Sequence, residues 1–363
     1  MTAGISVPVQ LPPNIWLKIF IVVVRRGRGC YRLVCRMRET LMHVCMAWRA
    51  VVRGHPGFWT QLRLKSYTSV DSARTSLECS GTQGIAIRLD LSATLDPAKP
   101  VNTELILHEL QKHFHRVSIL TVAFGTEESF QSFRSSFQSA ELSRLSSFNV
   151  IQSRNSVDQP SSPRILAWGV DIFPITSLRL QRAMFGLTWN VSFSRLKILV
   201  LRDLAHHLAP LWTDYETLFS SAFLVEKICV RNVGCRGLPE KLRRFPVLRY
   251  LNDFDLSFGP DTSFEHVLLA MRAPALKTFN YFGMTDEESE ALVRSGSILA
   301  PVKVFIFGGQ MEQWGLMTRI FLHAPSLVLL EVLSAEQRVL EAMIVADSFV
   351  TDRLRVRVST YYR

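Results

Sequence analysis

The sequence predicts an α/β chain: a short N-terminal helical module, then an irregular solenoid with parallel strands inside and helices outside. Three observations predict it. A six-residue apolar pattern returns at near-regular intervals from Trp59 to Val332. Prolines sit just ahead of that pattern in most of the later units. The first 65 residues show helical spacing instead and carry nearly all of the net charge.

Composition sets the limits. The chain has 363 residues, 48% of them hydrophobic and 23 of them Phe, enough to build a core over most of its length. Six Cys without regular spacing make no disulfide framework. Cys30, Cys35 and Cys45 lie near His43, but at no closed tetrahedral spacing, so no metal is expected. The net charge of +11 is local: residues 1–65 hold eleven Lys/Arg against Glu39 alone, and the remaining 31 basic and 30 acidic residues nearly cancel. A nucleic-acid face would spread over a folded surface, so nucleic acid is not the expected partner. The longest apolar run, IWLKIFIVVV at 15–24, contains Lys18 and is too short to span a bilayer. It has no secretory n-region or cleavage site, which makes the expected location cytoplasmic and/or nuclear, with no membrane partner. No Walker loop, GxGxxG, GxSxG or HExxH occurs; His113/His115 and His206/His207 are isolated pairs. The expectation is a protein with no catalytic set and no cofactor.

The helical module comes first. Pro12-Pro13 suits a first helical turn, where a missing N–H costs nothing. Leu11, Ile15 and Ile19 follow at four-residue steps, and Trp16 and Phe20 form a second stripe beside them. Two stripes on a short helix imply burial on two sides, against its own domain and against something else. Leu41, Val44, Cys45, Trp48, Val51 and Val52 then form one continuous helical face, stopped by Gly54 and turned by Pro56-Gly57. A unit this small buries too little of its own surface to be secure alone. Each of Trp16, Trp48 and Trp59 reads as core taken singly; their clustering favours a docking module.

The ordered signals LPPNIWLKIF, HVCMAWRAVV and PGFWTQLRL resemble an F-box, in the style abundant in mushroom-forming fungi. The resemblance rests on Leu11-Pro12, an apolar helix, Val44-Cys45-Met46-Ala47-Trp48, and Trp59. It implies a module over residues 8–60 that docks on the Skp-type adaptor of a cullin–RING ubiquitin ligase. Leu11, Pro12, Ile15, Ile19, Leu41, Val44 and Trp48 would supply the adaptor contacts. Two departures stand out: Asn14 occupies the usual acidic place, and the stretch before Trp48 is about ten residues too long. The excess falls at about 25–38, in RRGRGCYRLVCRMR, which holds six arginines (25, 26, 28, 32, 36 and 38). It reads as a solvated loop, a nuclear-localisation signal or translated intron, and as an insert it would separate the first two helices.

Residues 61–350 are expected to form the solenoid, with 351–363 as a C-terminal tail. The pattern apolar-x-x-apolar-x-apolar starts at 59, 86, 117, 145, 175, 196, 225, 248, 276, 302 and 327. The intervals run from 21 to 31, close to the leucine-rich-repeat period. The unit at 248, LRYLND, is imperfect. Pro174, Pro246, Pro274, Pro301 and Pro325 precede the pattern and lead into strands. Apolar residues at helical spacing lie upstream, as in Leu218, Phe219 and Ala222, in Phe264, Val267, Leu268 and Met271, and in Leu316, Ile320 and Phe321. The segment 126–163, rich in Ser and Gln, is a poorly formed repeat or partly a loop. A compact α/β domain is the alternative architecture.

Strand positions between the apolar ones would face the concave surface. They nominate Arg179, Gln181, Arg202, Arg231, Asn252 and Asn280 for an unknown protein substrate, because arginine on a rigid face suits carboxylate or phosphate. The functional expectation is a receptor joining a bound target protein to the ligase for ubiquitination. The alternatives are a repeat scaffold that no longer docks, or nucleic-acid binding through the arginine-rich stretch.

Overall fold

The computed structural model describes residues 11–26, 31–92, 102–137, 142–152, 174–182, 193–204, 209–240, 243–257, 264–282, 290, 292–294, 296–308, 322–333 and 354–359. Leu316, Ile320, Phe321, His206, His207, Arg28 and Cys30 lie outside them, as do the side chains of Arg25 and Arg26. The chain divides into two compact units, residues 1–145 and 146–363. The boundary expected at 60/61 is therefore displaced: the first three repeats belong with the helical module.

The first unit opens with α1 (Pro13–Arg26), α2 (Tyr31–Val44) and α3 (Met46–Gly54), followed by a 3₁₀ turn at Pro56–Trp59. The long helix expected through 41–52 is broken at Cys45, whose backbone is extended (φ −159°, ψ 171°). Arg49 explains how the break is tolerated. Its Nε donates to the freed Met42 carbonyl at 3.0 Å, and its N–H starts α3 on the Cys45 carbonyl. Residues 31–38 are not a loop. They form the first half of α2, with Val34, Cys35 and Arg38 buried. α2 packs on the first strand, β1 (Gln61–Lys65), and Cys35 Sγ and Arg38 Nη1 both reach the Gln61 carbonyl. The helical module thereby covers a strand edge that would otherwise expose its backbone.

α4 (Val70–Cys79), β2 (Ile85–Leu91), α5 (Thr103–Gln111), β3 (Val117–Phe124) and α6 (Glu127–Phe137) complete this unit. β1, β2 and β3 are parallel, with Leu62, Ile87 and Leu120 in one buried row and Leu64, Leu89 and Val122 in the next. Apolar residues of the helices, Leu77, Ile106, Leu110 and Phe133, are buried as well. Arg116, 3% exposed, has no carboxylate partner among the described residues; it bonds the Leu77 carbonyl at 2.7 Å and Ser80 Oγ at 2.7 Å. It thus satisfies the carbonyl end of α4, where a cation is favoured.

The second unit is a run of parallel strands in chain order: β4 (Ser147–Gln152), β5 (Ser177–Gln181), β6 (Ile198–Leu204), β7 (Lys227–Val233), β8 (Asp253–Ser257), β9 (Thr278–Phe282), β10 (Val304–Gly308), β11 (Leu329–Leu333) and β12 (Arg355–Ser359). α7 (Trp212–Ser221) and α8 (Glu265–Ala270) are two of its helices. One backbone device repeats at the strand starts. The carbonyls of Ser146, Thr176, Lys197, Glu226, Asn252, Lys277 and Lys303 each accept two N–H groups from the next unit, at 2.8 to 3.2 Å. The apolar rows face one side; Phe148, Leu178, Leu199, Ile228, Phe254, Phe279, Phe305 and Leu330 are all buried.

Two sequence expectations are corrected here. The eighth repeat is not LRYLND but LNDFDL, starting at Leu251, because Asn252 rather than Arg249 occupies the shared carbonyl position. The neighbouring intervals then become 26 and 25 residues. The expected tail at 351–363 contains β12, paired in register with β11 from Leu329↔Arg355 to Leu333↔Ser359.

Candidate interaction surfaces

Two surfaces emerge, one in each unit. On α1 the two apolar stripes separate cleanly. Phe20 (1% exposed) and Val24 are buried, and Trp16 packs on Phe20 with ring centroids 5.7 Å apart. Trp48 of α3 completes the cluster, 4.8 Å from Trp16 and 4.6 Å from Phe20. The other stripe faces out: Ile15, Ile19 and Val22 are 40%, 41% and 53% exposed. At the α2–α3 joint Val44 is 55% and Met46 83% exposed.

Of the seven residues nominated for adaptor contact, Pro12, Ile15, Ile19 and Val44 are exposed; Leu11, Leu41 and Trp48 are half-buried. Leu41 and Val44 end α2, whereas Trp48 belongs to α3 and faces the aromatic cluster on α1. Val22 and Met46 were not nominated. Val22, seven residues after Ile15, was legible from helical spacing; Met46 was hidden because the break at Cys45 exposes it.

Trp59 is structural. Its ring is 4% exposed, its Nε1 donates to the Val52 carbonyl at 2.9 Å, and the Arg38 guanidinium lies 4.3 Å above it. Burial pushes the Arg38 pKa down from the usual arginine range. Arg38, assigned by sequence to an insert, is thus a core residue of the module, and a nucleic-acid surface on the arginine-rich stretch loses it. The Tyr31 phenol, raised above its ordinary pKa by burial, is hydrogen-bonded with Thr121 on β3.

The second surface is the face of the β5–β9 strands opposite the apolar rows. Register places Arg179, Val200, Cys229, Asp255 and Asn280 in one row across β5 to β9. Gln181, Arg202, Arg231, Ser257 and Phe282 form the next. The structure therefore brings five of the six nominated substrate residues onto one face. Asn252 is not among them. It precedes β8 and its side-chain amide donates to the Tyr250 carbonyl at 2.8 Å. Asp255 takes the strand place that the misread register gave to Asn252.

Asp255 changes the electrostatics. Arg231 donates to both of its oxygens, at 3.2 Å from Nε and 2.6 Å from Nη2, and Asp255 is only 7% exposed. This bidentate pair raises the Arg231 pKa, and the guanidinium also lies 5.3 Å over the Phe282 ring. Beside it, Arg202 Nη2 reaches Cys229 Sγ at 3.7 Å. Burial, then the Asp255 charge, pushes the Cys229 thiol up. Asp203 accepts from Gln181 at 3.1 Å and pairs with Arg182 at 3.5 Å. Arg182, Asp203 and Asn232 share a left-handed backbone (φ 56°, 53° and 53°) at equivalent strand ends, a repeated local twist at the border of this face.

No group of metal-ligating side chains occurs among the described residues, and no helix among them is long and apolar enough to cross a membrane. His113 has its pKa lowered by burial and then by Arg116, whose Nη2 lies 3.1 Å from its Nδ1.

The fold places the chain in the class of α/β repeat solenoids with an N-terminal helical module. No protein-family model matches it, and no curated protein does. Among solved structures, a chain of the crystal structure of the Rad7 and Elc1 complex in yeast is similar, at 11% identity and a TM-score of 0.34, over 95% of this chain and 92% of that one. A likeness so distant carries no argument about role.

Proposed function

We propose that this protein is a non-catalytic receptor: its helical module docks on the Skp-type adaptor of a cullin–RING ligase, and its strand face holds a target protein for ubiquitination. The observation that carries the reading is the sorting of α1 into a buried aromatic stripe and an uncovered aliphatic one. A helix stabilised by its own domain on one side has no internal reason to hold Ile15, Ile19 and Val22 in water on the other. Ile15 and Ile19 fall where the F-box resemblance calls for adaptor contacts. α1 packs on both α2 and α3, which supports docking by one continuous module despite the longer connection.

Covering Ile15, Ile19 and Val44, at 40%, 41% and 55% exposure, buries rather more than one full aliphatic side chain. That contributes about 2–4 kcal/mol, or roughly 30- to 700-fold in affinity. The test is capture of the full chain by a purified Skp-type adaptor from a mushroom-forming fungus. The wild type binds, and Ile15→Asp/Ile19→Asp loses at least about tenfold in affinity with its helical content unchanged. A wild-type chain that does not bind defeats the reading.

A further inference from the structure

We propose that the edge of the second unit from which β6 to β11 start is a peripheral contact for an anionic phospholipid bilayer. It belongs neither to the helical module nor to the strand face, and it goes beyond the receptor reading.

Register builds the edge. Ile198, Lys227, Asp253, Thr278, Val304 and Leu329 stand side by side at the strand starts. The turns that lead into them therefore follow one line, about 24 Å long from β6 to β11 at about 4.8 Å per strand. Arg195, Arg249, Arg272, Lys277 and Lys303 are exposed on or beside these turns. None of their side chains has a hydrogen-bond or ion-pair partner among the described residues. The acidic residues at the same level are already taken: Glu226 by Lys197 at 2.7 Å, and Asp253 by Lys227. At the opposite ends of the strands the cations are occupied, Arg182 by Asp203 and Arg236 by the Ala209 carbonyl at 2.8 Å. The near-neutral balance beyond residue 65 conceals this edge, because repeat register and not composition gathers its cations.

Apolar side chains stand among the cations. Phe223 and Tyr250, on the turns before β7 and β8, are 51% and 53% exposed, and Val247 and Val328 are exposed as well. The Leu248 N–H donates to the Arg272 carbonyl at 2.9 Å, so Val247 and Tyr250 on one repeat lie beside a cation of the next. This mixture selects the partner. Unpaired cations alone suit any polyanion. Aromatic and aliphatic side chains held out between them gain from a phase that is anionic at its surface and apolar just beneath, which is a bilayer with anionic headgroups. A nucleic acid would stack on Phe223 and Tyr250 but offers Val247 and Val328 no apolar phase. The expectation of no membrane partner rests on the lack of a spanning segment, which a peripheral contact does not need.

Vesicle flotation of the full chain tests this. Phosphatidylcholine vesicles with about 30% phosphatidylserine bind it more than about 100-fold more tightly than phosphatidylcholine alone, since each cation near an anionic leaflet is worth about fivefold. Arg249→Gln/Lys277→Gln weakens binding about 25-fold, and Phe223→Ser/Tyr250→Ser weakens it at least about tenfold, both with unchanged helical content. Arg179→Gln, a cation lost from the strand face, changes it less than about twofold. No binding to either vesicle, equal binding to both, or binding indifferent to the two edge variants overturns the proposal. Loss of binding in Arg32→Gln/Arg36→Gln instead overturns the placement on this edge. A single-stranded RNA of about 20 nucleotides, held through Arg249 and Lys277 more tightly than the vesicles are, overturns the lipid assignment in favour of nucleic acid. The assay contains no adaptor, so this surface and adaptor docking fail separately.

Discussion

Phe20 and Ile19 are neighbours in sequence that the fold treats oppositely, and the pair offers a sharp perturbation. Phe20 is 1% exposed, wedged between Trp16 and Trp48 at 5.7 and 4.6 Å. Truncation to Ala removes a fully buried ring from a small module and costs about 3–5 kcal/mol. Ile19, 41% exposed, is part of no ring cluster, and Ile19→Asp costs about 1 kcal/mol or less in the free protein. Because the chain has two units, a single melting curve does not isolate the module. Hydrogen exchange of peptides from 13–59 does. At about 1.4 kcal/mol per tenfold, Phe20→Ala speeds exchange in α1 to α3 by more than about 100-fold, while Ile19→Asp stays within about fivefold. Equal destabilisation by the two variants would refute the inside/outside division of α1.

The acid response of the first unit is set partly by Glu109. Hydrogen bonds from Arg74 and Lys112 hold its carboxyl down to about 2. Its unfolded value is about 4.3, so its contribution is present above that pH and is lost as pH falls toward the folded value. Unfolding midpoints between those limits fall less steeply in Glu109→Gln; an unchanged slope refutes the assignment. For Asp255→Ala, loss of a carboxylate 7% exposed from a pair whose arginine side chain is 39% exposed costs about 1–3 kcal/mol. Asp253→Ala, whose partner Lys227 is more exposed still, costs about 1 kcal/mol or less by urea unfolding. Cys45 is exposed, whereas burial and Asp214 push Cys235 up to about 12. Iodoacetamide mapped by mass spectrometry labels Cys45 first and leaves Cys235 protected in the native state; early labelling of Cys235 contradicts its burial.

Much of the fold was legible because repeats announce themselves. The apolar row of each strand is a period-two signal that alternates against polar neighbours, and nine of the eleven patterns from Trp59 onward anticipate strands in the right register; AIRLDL finds β2 but is read two residues late, because Leu62 pairs with Ile87 and not with Leu89. The failures have physical causes. Leu248 and Leu251 sit three apart, so LRYLND imitates the pattern one turn too early; Leu248 is buried ahead of the strand. That slip hid Asp255 and left Arg231 looking like an uncompensated charge. β12 was missed because Arg353 stands where the pattern asks for an apolar residue, although Val356 and Val358 keep the alternation. In the module, continuous helical spacing across Cys45 concealed a break that Arg49 stabilises from a distance no periodicity records. Arg38 reads as one of a charge run, yet pairing with the Trp59 ring is tertiary and invisible to composition. The two stripes of α1 were fully readable, because on a helix direction follows from spacing alone.

The most direct test of the account is hydrogen exchange of the full chain with and without a saturating Skp-type adaptor. Protection is predicted in peptides covering Leu11–Arg26 and Leu41–Trp48, with β5 to β8 unchanged. Protection confined to the strands, or none in α1 at adaptor saturation, would contradict it.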